Sequence, residues 1–159
     1  MAKRLDEYEK LLSMTYKEAV DYLLIKYGPS TSDYFSEYSY KRFLQGKIKS
    51  MNKKSASSRT EEGLYCHHID EDKWLNMADL DFIKRYRIPF KSQKKDKLVY
   101  SDKIEHAILH VLIAKETSGN YGLPGYRAFL KPDPGALKVR GRSCRCRPAA
   151  AHAGYPSRS

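Results

Sequence analysis

Lys97-Leu98-Val99-Tyr100-Ser101-Asp102-Lys103-Ile104-Glu105-His106-Ala107-Ile108-Leu109-His110 is the stretch on which the fold turns. Leu98, Val99 and Tyr100 suit a pleated strand. Asp102 carries the short acceptor side chain that caps a helix. Ile104, Ile108, Leu109, Leu112 and Ile113 then recur at helical spacing, which predicts a helix to about Lys115. His106 and His110 stand at i, i+4 on that helix. Their imidazoles therefore share one face and can converge on one divalent cation.

Upstream, Leu64-Tyr65-Cys66-His67-His68-Ile69 reads as a strand that enters a loop at the acidic cluster Asp70-Glu71-Asp72. Neighbouring residues of a strand face opposite ways, so His67 and His68 can divide their duties. One turns toward the helix as a ligand, the other toward a substrate. Four of the five histidines of the chain lie in these two pairs. Between them, Leu75, Met77, Leu80, Phe82 and Ile83 predict a short helix over 74–86 that Pro89 ends.

Toward the N-terminus, Thr15 and Glu18 form a capping box ahead of Ala19, Val20, Leu23, Leu24 and Tyr27, and Gly28-Pro29 stops that helix. Residues 1–14 read as a fraying, partly helical lead-in. The Tyr/Phe-rich stretch 33–44 suits either helix or extended chain. Residues 118–125 have turn chemistry. The expected fold class is therefore α+β, with a helical N-terminal extension (1–46), a basic Ser-rich linker (47–62) and a strand–strand–helix unit within 63–134. A tail, 135–159, has no apolar periodicity and reads as disordered, non-native-looking sequence.

The net charge of +11 over 159 residues is unevenly spread. From Gly135 on, Lys138, Arg140, Arg142, Arg145, Arg147 and Arg158 meet no acid. Within the body, the basic segments 47–59 and 84–97 suit phosphate contacts. Three cysteines make no disulfide framework, and no apolar run is long enough to span a membrane, so a cytoplasmic setting is expected. The acidic cluster reads either as partners for the histidines or as an exposed turn. Glu105 reads as a solvated helix residue, Cys66 as a small buried hydrophobe and Trp74 as a core anchor.

Taken together, Tyr65-Cys66-His67-His68-Ile69-Asp70 and the Lys97–His110 stretch resemble an HNH endonuclease module, the ββα-metal fold, over residues 64–116. The resemblance covers about a third of the chain. It implies one divalent metal ion (Mg, Mn, Ni or Zn) held by His67, His106 and His110, with His68 as general base, and hydrolysis of DNA phosphodiester bonds. The basic segments 47–59 and 84–97 would then hold DNA. One position departs from the family pattern: Lys97 stands where the motif has an asparagine that braces the base histidine. Lysine has no acceptor and cannot copy an amide. Asn76 and Gln93 are the nearby amides that could stand in. The competing class is a nucleic-acid-binding module with a structural metal, its fourth position closed by Cys66 or Asp70, or a catalytically impaired HNH domain.

Overall fold

The computed structural model describes residues 2–130, so the tail 135–159, with His152, lies outside the described residues. Among the described residues, six α-helices and one two-stranded antiparallel sheet form an α+β arrangement. Helices α1 (Ala2–Leu12), α2 (Tyr16–Tyr27) and α3 (Glu37–Leu44) precede strand β1 (Tyr65–His68). Then come α4 (Leu80–Tyr86), strand β2 (Leu98–Ser101), α5 (Lys103–Glu116) and α6 (Leu123–Leu130).

Local chemistry explains most of the boundaries. Thr15 and Glu18 close the capping box of α2, with the Thr15 backbone N–H donating to Glu18 Oε2 at 2.8 Å. Asp102 and Glu105 close a second box at the start of α5. The first helix is regular, not frayed: Leu11 is buried against α2 and α5, and Tyr8 Oη donates to Asp102 Oδ2 at 2.8 Å. Packing against the rest of the protein supplies what an isolated segment of this length lacks.

The helix expected over 74–86 is shorter. It begins only at Leu80, where Asp79 caps it, because Asn76 takes a left-handed conformation (φ 49°). Trp74 packs against the second apolar cluster, half-buried, from the turn that precedes the helix. Residues 33–44 resolve as helix from Glu37 onward. Segment 47–62 contains two 3₁₀ turns, Ser55–Ser57 and Thr60–Glu62, and buries Met51 and Ser57 while Lys47, Lys49 and Lys53 stay exposed. The turn at 118–122 is followed by α6, which packs on α5.

Two apolar clusters flank the hairpin. One joins α1, α2, β2 and α5 through Leu11, Val20, Leu23, Val99, Leu109 and Ile113. The other gathers Phe35, Tyr40, Phe43, Met77, Ile83 and Ile88. In the hairpin, His67 pairs with Val99 and His68 with Leu98. Paired residues share a face and successive ones alternate, so His67 shares its face with Val99 and the first cluster. His68 takes the opposite face.

Among the described residues, no helix is long and apolar enough to cross a membrane.

Candidate metal centre

His67, His106 and His110 are all buried and offer ring nitrogens that lie within 4.8 Å of one another, close enough to bind one metal ion. His67 arrives from β1, and the other two from successive turns of α5. His67 Nδ1 is 3.0 Å from His106 Nε2. The His106 and His110 rings stack at 5.0 Å with an interplanar angle of 15°, and His67 stands edge-on to both. Burial holds His67 and His106 well below the ordinary histidine value, and the neighbouring imidazoles push the same way. Burial also lowers His110, against the pull of the Glu71 carboxylate. Neutral imidazole is the ligating form, so the donor set fits a cation.

Tyr16, on α2, fixes which nitrogen of His67 faces the centre. Its hydroxyl donates to the Ile69 carbonyl at 2.8 Å and sits 2.9 Å from His67 Nε2. With its one proton committed to Ile69, the hydroxyl must accept from His67 Nε2–H. The lone pair of His67 is thereby left on Nδ1, pointing at His106. A partner on the far nitrogen orients a metal-ligating histidine in this way. The N-terminal extension thus reaches into the centre, a contribution no local pattern announced.

His68 faces the other way and is held by Gln93. Its Nε2 is 2.9 Å from Gln93 Oε1, while Gln93 Nε2 donates to the Met77 carbonyl at 2.9 Å. The amide is oriented by Met77, so His68 must carry its proton on Nε2 and present a bare Nδ1. Tyr34 packs against the imidazole at 4.4 Å. Gln93, fully buried, therefore supplies the two-way amide bonding that Lys97 cannot. Lys97 itself points elsewhere, with Nζ 3.6 Å from Asp70 Oδ1. Asp70 also accepts from Ser92 Oγ at 2.8 Å.

His68, His106 and His110 open onto a common cleft of ≈ 400 Å³, which Tyr34, Glu71 and Met77 also line. On its far side, α6 presses on the centre: a Cβ on Gly125 would fall inside the His110 imidazole. A Cβ on Gly122 (φ 83°) would likewise collide with the His110 carbonyl.

Three expectations need revision or refinement here. Glu105 is fully buried, not solvated: it accepts from Lys26 Nζ at 2.7 Å and from the Asp102 backbone N–H at 2.7 Å. Ile104, expected on the buried stripe of α5, is half exposed. Cys66 is partly and not fully buried, and burial pushes its thiol up to about 11. The chain matches no protein-family model, no curated protein and no solved structure.

Proposed function

We propose that the chain is a divalent-metal-dependent endonuclease of the HNH type that hydrolyses DNA phosphodiester bonds, with β1, β2 and α5 as its ββα-metal unit. One observation carries this reading: the cleft receives His106 and His110 of the three-imidazole cluster together with His68, the strand neighbour of the third imidazole, whose Nδ1 is bare. A cluster alone would only bind metal. The adjacent acceptor adds a proton-transfer group at the same opening.

The side chains have separable tasks. His67, His106 and His110 would hold the cation, which when bound supplies Lewis-acid neutralisation of charge on the phosphate. His68 Nδ1 would take the proton of an attacking water as general base. Gln93 keeps the His68 proton on Nε2, and Tyr16 keeps the His67 proton on its outer nitrogen. Tyr34 packs on the His68 ring and carries Lys53 Nζ 4.8 Å above its own face. A basic residue of segment 47–59 therefore stands at the rim of the cleft, where a phosphate backbone would pass. Exposed Lys84, Arg85, Arg87, Lys91, Lys94 and Lys95 extend the positive surface.

A plasmid-nicking assay with Mg²⁺, Mn²⁺ or Ni²⁺, comparing wild type with His68→Ala, tests the reading. Removal of a general base costs roughly 10²–10⁴ in rate. Equal cleavage by both proteins, or none by either with any metal, would sink it.

A second reading, a nucleic-acid-binding module built on a structural metal, is favoured by the position of Glu71. Its Oε2 lies 3.6 Å from His110 Nε2. A fourth protein donor is what a closed, structural site has.

A further inference from the structure

We propose that Glu71 is the fourth donor of the centre, which makes it a three-histidine, one-carboxylate site for a first-row transition metal in the resting protein. The inference deepens the reading of this same centre, but it rests on metal binding alone and not on cleavage.

Glu71 sits in the 3₁₀ turn Ile69–Asp72 that directly follows β1. From sequence this turn could have been no more than a solvated acidic corner, yet the Glu71 side chain is only 17% exposed. Its two oxygens split between the histidines. Oε2 lies 3.6 Å from His110 Nε2 and 3.9 Å from His67 Nδ1, and Oε1 lies 3.7 Å from His68 Nδ1. These separations exceed the ~2.7–3.2 Å of a hydrogen bond. The two Oε2 distances come near the scale of donors that share an ion: ligands at ~2.0–2.2 Å in a tetrahedron stand roughly 3.3–3.5 Å apart.

Charge points the same way. Asp70 and Asp72 both pair with Lys73, whereas no Lys or Arg among the described residues pairs with Glu71. A carboxylate turned inward toward three imidazoles is costly to desolvate without a cation. One negative charge also halves what three neutral imidazoles would leave on a dication. This mixed nitrogen–oxygen set suits zinc, cobalt or manganese, while magnesium prefers an all-oxygen octahedral shell.

The same carboxylate lies between the metal corner and His68 Nδ1. An incoming phosphodiester would therefore displace it, and its place on a short turn at the cleft lets it yield.

The test uses the full chain with Co²⁺ alone as probe, read by chelator competition and by visible absorption, for wild type, Glu71→Gln and Glu71→Asp. Four-coordinate Co²⁺ absorbs far more strongly than the five- or six-coordinate ion. The expected result is a loss of affinity of more than about 100-fold for Glu71→Gln, beyond the roughly 10–100-fold that losing an outer partner costs, with weakened visible absorption. Glu71→Asp should fall between, and far-ultraviolet circular dichroism should be unchanged in both. Unchanged affinity and absorption in Glu71→Gln overturns the proposal, whether or not the protein cuts DNA. Loosened metal binding in a protein whose wild type nicks plasmid supports both readings. Loosened binding in a protein that never nicks upholds the fourth donor and removes the nuclease.

Discussion

Replacing Tyr16 with phenylalanine probes the centre from outside the histidine set. The ring, which meets His67 edge-on at 6.1 Å, would remain. Only the hydroxyl would go, and with it the contacts at 2.9 Å to His67 Nε2 and 2.8 Å to the Ile69 carbonyl. His67 is fully buried, so its outer N–H would lose its acceptor with no water to replace it. Leaving such a group unsatisfied costs about 1–3 kcal/mol. The ring can escape that cost by moving its proton to Nδ1, which is the nitrogen that faces His106. Metal must then displace the proton, and affinity should fall roughly 10–100-fold, the usual cost of losing an outer partner of a ligating histidine. Zn²⁺ competition against a chromophoric chelator measures the affinity, and urea unfolding without metal measures the stability. A Tyr16→Phe protein that binds Zn²⁺ within about 2-fold of wild type, with an unchanged urea midpoint, would refute the assigned tautomer.

Gln93→Leu should leave Co²⁺ affinity intact yet lower nicking through kcat and not KM, because it frees the His68 ring and orphans the Met77 carbonyl. The accompanying loss of stability should be about 1–3 kcal/mol in urea unfolding, and wild-type kcat would contradict the role given to this amide. Lys97→Asn should change nicking by less than about 2-fold, a size typical of surface substitutions, since the Lys97 ammonium lies against Asp70 and not His68. A large gain in rate would mean that the motif position still governs the base. Gly125→Ala should loosen metal binding, because the added methyl falls where the His110 ring now sits. Wild-type Co²⁺ affinity and spectrum in that variant would show that α6 does not press on the centre.

What could be read from the chain divides by range. The i, i+4 pair on α5, the paired histidines of β1, the capping box at Thr15 and the N-cap at Asp102 are local patterns, and the structure brings His106 and His110 together as their spacing suggested, with His67 beside them. Tyr16 and Gln93 act on histidines 51 and 25 residues away, and no periodicity encodes that proximity. The sequence offers two amides, Asn76 and Gln93, and the orientation set by Met77 singles out Gln93. Glu105 departs from its local pattern for a different reason. A charged residue on a helix normally faces water, but α5 is packed by α1 and α2 on one side and by the hairpin and α6 on others. Lys26 reaches in to neutralise it. The short α4 failed the periodicity test because apolar residues at 74–77 serve a turn and the second cluster, not a helix face.

The alternation along β1 makes the hairpin a parity device. His67 looks toward α2 and α5, and His68 looks toward Gln93 and Tyr34. Shifting β1 by one position against Leu98 and Val99 would exchange these neighbourhoods, handing the metal corner the wrong imidazole and the amide no imidazole it could hold. A two-residue shift would restore the facing but not the reach. An odd insertion between Tyr65 and His68 should therefore abolish metal binding even where the hairpin still forms.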